Sequence, residues 1–228
     1  MTHQLLAPPA AVLRRTKPTL RRWMLGLLLG LSCQALAAEP QRYAIVGKLS
    51  RVGFSFAHQD FMQLMGSLRL QPGYFLFDAE DWSRSSIEVT LPLISLDMGD
   101  ALWNQQIRGD KAWAKLFKGP EIQFRSTALH KTGAQQGVLK GELTLGGVTR
   151  PVELQLRLNR IAPNAITGQP SIGLSASARI KRSEFGIDAY LSLVGDEMEV
   201  QVQLEGAQGA ELEAPGDLSA RGLGRPNP

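Results

Sequence analysis

In residues 141–154, GELTLGGVTRPVEL, apolar and polar positions alternate with a period of two on both sides of a Gly-Gly pair. Leu143 and Leu145 alternate with Glu142 and Thr144; Val152 and Leu154 flank Glu153. This pattern predicts a β-hairpin with one apolar face, which is stable only if further strands cover that face. Most of the chain supplies them. Val52, Phe54, Phe56 and His58 alternate with the small Gly53, Ser55 and Ala57. Leu68 and Leu70, then Phe75 and Phe77, then Ile87, Val89, Leu91 and Leu93 repeat the period. Ile122 and Phe124 open a strand that resumes after a kink at Leu129, and residues 154–158, 172–180 and 195–204 complete the series.

Two stretches break the alternation. DFMQLM at residues 60–65 reads as a short irregular or helical turn, although Phe61, Met62, Leu64 and Met65 all need cover. In residues 99–117, Leu102, Trp103, Gln106, Ile107, Asp110, Trp113 and Phe117 recur at three- and four-residue spacing. That period predicts one helix and a shorter second one, broken near Gly109. The fold expected is therefore all-β, with about eight antiparallel strands and one short helical insertion, closed into a barrel that leaves no exposed edges. A barrel of about eight strands has room either for packed side chains or for one small ligand.

The ends change the charge reading. Arg14, Arg15, Lys17, Arg21 and Arg22 precede the short apolar run WMLGLLLGL, and Ala35-Leu36-Ala37 forms a small-residue cleavage site. Residues 1–37 thus read as a secretory signal peptide cut near Ala37, too short in its apolar run to span a bilayer. The Arg21-Arg22 pair leaves the export route open between the general and twin-arginine pathways. Cleavage discards Cys33, the one cysteine of the 228 residues, and with it any thiol, disulfide or Cys-ligated metal. It also discards five of the 25 basic residues and none of the 21 acidic ones, so the remainder carries a net charge of −1. The basic balance of the whole chain belongs to the leader and gives no support for nucleic-acid binding. Residues 206–228, rich in Gly, Ala and Pro, read as a disordered tail, which leaves 38–205 as the folded domain.

Five segments, taken in order, resemble the YceI-like family of periplasmic lipid- or polyisoprenoid-binding proteins: VGFSFAH at 52–58, SSIEVTLPLISLDMGD at 85–100, GELTLGGVTRPVEL, ARIKRSEFGID at 178–188 and VGDEMEV at 194–200. The resemblance runs from Tyr43 to about Leu204. It implies an extended, lipocalin-like eight-stranded barrel with an apolar tunnel for a long isoprenoid or fatty chain, export to the periplasm, and no catalytic residues. Two family signatures are altered. An Asp-x-x-His-Ser stretch appears as residues 46–50, VGKLS, and an Arg-Asp-x-His-Leu stretch as residues 103–107, WNQQI. The missing Asp and His residues imply a less polar ligand.

The candidate apolar lining is Phe54, Phe56, His58, Met62, Leu68, Phe75, Ile87, Val89, Leu91, Trp103, Trp113 and Leu143. These residue types serve a packed core equally well. The contrast with small neighbours, Gly53, Gly141, Ala176 and Ala178, tilts the reading toward a cavity. Met62 and Met65 would add adaptable contacts, and Trp103 with Trp113 would cap or gate one end. No two His residues outside the leader stand at metal-ligand spacing, and Ser50 and Ser183 lack a nucleophile-elbow setting. Arg182 and Glu184 read as a structural pair across a turn. The expectation is a non-catalytic periplasmic carrier for a long-chain lipid, without cofactor or metal. Its other expected partners are an envelope membrane or membrane protein, with a homodimer left open. The alternative is a structural or interaction module of the envelope with a filled core.

Overall fold

A computed structural model describes residues 39–209. The expected signal peptide with Cys33, and the expected tail from residue 210 onward, lie outside the described residues. The strands are β1 (Gln41–Ile45), β2 (Arg51–His58), β3 (Met62–Arg69), β4 (Tyr74–Phe77), β5 (Ser86–Pro92), β6 (Glu121–Lys131), β7 (Gln136–Leu145), β8 (Val148–Pro163), β9 (Pro170–Lys181) and β10 (Val194–Ala207). Among the described residues the single α-helix, α1 (Ala101–Gly109), lies between β5 and β6, followed by short 3₁₀ turns at Lys111–Trp113 and Leu116–Lys118.

All pairings are antiparallel, in the order β1-β4-β5-β6-β7-β8-β9-β10-β2-β3, and β1 also pairs with β10 to close the ring. β1 and β2 lie along the same neighbour, β10, at Ala207–Gly206 and at Val194–Gln203 respectively. They act as one long strand with a break at residues 46–50, and β3 with β4 form a second broken strand. Counted this way, eight strands make the barrel. Ser50, fully buried at the first break, pins it: its hydroxyl donates to Val46 O at 2.9 Å and accepts from Glu205 N at 3.2 Å. The Ser that survives from the altered VGKLS stretch is therefore a joint between β1, β2 and β10.

The Gly-Gly hairpin forms as read. Gly146 and Gly147 have φ of 59° and 77°, the positive values a two-residue turn demands, and the ladder runs from Leu145–Val148 outward. A Cβ at Gly146 would stand 2.6 Å from Lys115 O, so the turn also admits the chain that follows α1.

The structure corrects two boundaries. DFMQLM is neither helical nor irregular: Gln59 and Asp60, with φ of 47° and 56°, make the tight turn, and Met62 opens β3. The hairpin lacks Gly or Asn in its turn, so its usual signal is absent; the turn is instead held from outside by Gln59 N donating to Leu193 O at 2.8 Å. At the other end β10 continues through the predicted start of the tail. Gly206 and Ala207 are buried and pair with Ile45 and Ala44.

The insertion, the β2–β3 turn, the Gly146-Gly147 turn and residues 182–193 share one end of the barrel, the helical end. At the far end Trp82, 2 % exposed, packs edge-on against Phe77 with ring centroids 5.4 Å apart.

Candidate functional site: an internal apolar chamber

The barrel is hollow. A chamber of about 600 Å³ occupies the helical end, and a narrower one of about 120 Å³ continues toward the far end. Val52, Leu91, Leu143, Ile180 and Val200 border both, so the two adjoin at a waist formed by these side chains. The larger chamber falls within the range of about 300–1,000 Å³ usual for small-molecule sites. At about 30 Å³ per water-sized group it holds about twenty methylene-sized groups.

The aromatic side chains keep the interior open rather than filling it. Phe54 lies over Gly66 of the adjacent strand, where a Cβ would stand 2.4 Å from Phe54 Cζ. Phe124 lies over Gly141 in the same way, at 2.4 Å, and Phe75 over Gly206, at 2.7 Å. At each position only glycine lets the ring lie along the wall, because any Cβ would push it toward the axis. Phe54 and Phe56 then stack on each other, centroids 6.1 Å apart and 7° from parallel. Two of the small residues credited with leaving space do so differently from the expectation. The space at Gly141 is taken by Phe124, and Gly53, between inward Val52 and Phe54, belongs to the outer face. Ala176 and Ala178 do line the narrow passage.

The polar groups of the passage gather at the helical end. Tyr190 Oη donates to Asp110 Oδ2 at 2.9 Å, and its ring meets Trp113 at 6.2 Å. Asp110 also caps the 3₁₀ turn through Ala112 N at 2.8 Å. This carboxylate beside the phenol raises the Tyr190 pKa. Tyr190 sits at φ 52°, a left-handed conformation that a bulky side chain adopts only under restraint. Gln106 and His58 line the same region. Arg182, 2 % exposed, forms part of its floor. Its partner is not Glu184. Its guanidinium donates to Gly195 O at 2.9 Å, Ile187 O at 3.1 Å and Val194 O at 2.6 Å. Burial lowers the Arg182 pKa, and Asp196 and Asp188 oppose that shift.

Of the lining residues expected from sequence, Phe54, Phe56, His58, Leu68, Trp103 and Trp113 border the large chamber, and Phe75, Ile87 and Val89 the narrow one. Leu91 and Leu143 stand at the waist. Met62 does not belong: it is 57 % exposed at the hairpin tip, and Met65, 73 % exposed, points outward from β3. Once the β2–β3 turn is a tight hairpin, both methionines project beyond or outside the barrel wall. The polar group formed by Asp110, Tyr190, Gln106 and Arg182 was not foreseen. Its members come from two connections distant in sequence, and only the inward spacing of Gln106 and Asp110 with Trp103 and Ile107 hinted at it. Among the described residues no group of three or more His, Cys, Asp or Glu could hold a metal ion.

The fold and its interior define a closed antiparallel barrel built around an apolar passage with a polar mouth. The model of the YceI-like domain matches residues 43–206, and the chain belongs to this family. It is 30% identical over 192 residues to a UPF0312 protein of Photorhabdus laumondii, covering 83% of this chain and 98% of that one. It is likewise 30% identical over 194 residues to protein YceI of Salmonella newport, covering 84% and 98%. Among solved structures it is similar to Burkholderia cenocepacia BcnA, with a TM-score of 0.61 at 23% identity over 71% of this chain and 98% of that one. It is also similar to a polyisoprenoid binding domain from Saccharophagus degradans, with a TM-score of 0.53 at 13% identity over 73% and 98%.

Proposed function

We propose that the chain is a non-catalytic carrier that holds one long apolar molecule, polyisoprenoid-type or fatty, inside its barrel, and that it works in the periplasm after loss of its leader. The observation that carries this reading is the pair of adjoining apolar cavities inside the barrel, the larger at the helical end, lined by aliphatic and phenyl side chains. An unfilled apolar interior gives up dispersion contacts along its whole surface, and a chain threaded through it restores them. Membership of the YceI-like family and the similarity to the polyisoprenoid binding domain from Saccharophagus degradans support the same reading. The tail lies against Phe54, Phe56, Leu68, Leu91 and Leu143, and its tip enters the waist toward Ile87 and Val89. The head group lies among Tyr190, Asp110, Gln106 and Arg182, which offer both hydrogen-bond donors and acceptors. The strands of one copy close the ring, so the cavity requires no second copy. The alternative of an envelope module with a filled core is disfavoured by the open interior.

Organic extraction of protein isolated from the envelope fraction of expressing cells, followed by lipid mass spectrometry, tests the proposal. One long-chain species per polypeptide is expected. Absence of any co-purifying chain, together with no uptake of long-chain probes, refutes it.

A further inference from the structure

The interior has a bottom as well as a mouth. Phe75 and Phe77 bound the narrow chamber on the side away from the helical end. Behind them Tyr43 stacks on Phe75 with ring centroids 5.5 Å apart, and Trp82 meets Phe77 at 5.4 Å. Tyr43, Ile45, Trp82 and Ile172, each no more than 3 % exposed, border neither chamber, so side chains fill the barrel beyond that point. A chain whose head group rests at the mouth therefore has a limited depth to occupy. At about 30 Å³ per group, the two chambers together take about twenty-four carbon-sized groups. A forty-carbon isoprenoid would need about 1,200 Å³, well beyond both together.

Two residues of β9 open the narrow chamber. The inward side chains of that strand run Ile172, Leu174, Ala176, Ala178 and Ile180. Ala176 stands opposite Leu156 of β8 and Val202 of β10, and Ala178 opposite Val200 of β10. Both alanines border the narrow chamber, and among the described residues no other apolar side chain at it is smaller than valine. They leave a recess in a wall of large aliphatic groups, just past the waist at Ile180 and Val200. An empty recess forfeits dispersion contacts, which the last carbons of a threaded chain would regain.

We propose that the barrel measures its ligand. It takes a chain of about twenty to twenty-four carbons, a twenty-carbon isoprenoid or a fatty chain of that length, and Ala176 and Ala178 set the limit by receiving the last carbons. A longer isoprenoid gains nothing beyond that depth. This rests on the proposed lipid-carrier function and names the class of chain that the carrier takes.

Displacement of a pyrene-labelled fatty probe by hexadecanol and by tetracosanol tests it, in the parent protein and in A176L and A178L. Each leucine adds three carbons, about 90 Å³, and so fills most of the 120 Å³ chamber. Tetracosanol should bind either variant about sixtyfold more weakly than the parent, three methylenes at about fourfold each. Hexadecanol ends before the waist and should bind all three proteins alike. Both variants should melt at or above the parent temperature, because they fill a void. In the parent, a forty-carbon isoprenoid alcohol should bind no more tightly than geranylgeraniol. Tetracosanol that binds the variants as it binds the parent overturns the ruler. So does a loss that hexadecanol shares equally, or a forty-carbon alcohol that binds the parent more tightly than geranylgeraniol; in each of these cases the carrier function stands. Failure of every alcohol to displace the probe, with no probe uptake by the parent, refutes the carrier function itself.

Discussion

Gly66→Ala adds one methyl group to the inner face of β3. Its Cβ would stand 2.4 Å from Phe54 Cζ, 2.8 Å from Phe54 Cε2 and 2.6 Å from Met98 Sδ, against ordinary contacts of 3.4–4 Å. All three obstructing atoms are the far ends of side chains, so the β2–β3 ladder can stay intact while the Phe54 ring swings about 1 Å or more into the chamber. Overpacking of this kind costs about 1–3 kcal/mol. At about 2–4 °C per kcal/mol for a domain of this size, Tm should fall by roughly 2–12 °C. The displaced ring also takes space from the ligand. Losing room for about two methylenes, at about 0.8 kcal/mol each, weakens long-chain binding about tenfold. Fluorescence titration with a long-chain probe and thermal unfolding measure the two effects. Phe54→Leu in the G66A background removes the collision with the ring but not that with Met98 Sδ, and should recover part of both, with a coupling of about 0.5–3 kcal/mol. A G66A protein that binds and melts like the parent would refute the idea that glycine holds this ring against the wall. So would a G66A defect that F54L does not relieve.

Gly141→Ala should be worse for stability than G66A, because its Cβ meets Arg125 O at 2.6 Å as well as the Phe124 ring, and backbone cannot rotate away; chemical denaturation of the pair of variants checks the order. Ser50→Ala removes the hydroxyl joining Val46 and Glu205 at a fully buried site and should cost about 1–3 kcal/mol in urea unfolding. Arg182→Leu leaves the carbonyls of Gly195, Ile187 and Val194 without their donor. It should cost about 3 kcal/mol or more, and Arg182→Lys should not rescue it, since one ammonium cannot reproduce the planar fork. Asp78 is held below the ordinary carboxylate range by the backbone N–H of Asp81, then that of Glu80 and the charge of Arg84, against the opposing effect of burial. Its stabilisation is complete above the unfolded pKa of about 3.9 and is lost as pH falls through the lower folded value. Thermal unfolding between neutral and strongly acidic pH should show a steeper acid loss for the parent protein than for D78N.

The strands were legible because each carries its own period-two record, and the Gly146-Gly147 turn because positive φ at both centres nearly demands those residues. The β2–β3 turn was not legible. Gln59-Asp60 adopts the same geometry without glycine, held by a hydrogen bond to Leu193, which is 134 positions away in sequence. That error carried Met62 into the lining, since a helical turn would fold it back over the barrel and a hairpin projects it outward. The end of β10 is hidden for a related reason: Gly206 looks like tail composition, and only the packing of Phe75 on it marks it as strand. Inward parity located most of the apolar wall, because alternation dictates which side chains share a face. It could not say whether they meet across the axis, since that depends on which glycine each ring finds on the neighbouring strand. The polar mouth was hidden more deeply, as Asp110 and Tyr190 lie 80 positions apart and converge only when the two connections pack together.

Affinity for a series of straight-chain fatty alcohols of increasing length tests the hollow barrel most directly. If the passage takes the chain, each added methylene should tighten binding about fourfold, at about 0.8 kcal/mol. The gain should level off at about twenty to twenty-four groups, as the large chamber and then the narrow one beyond the waist are filled. Affinity that does not change with length, or no binding at any length, would contradict an interior completed by an apolar chain.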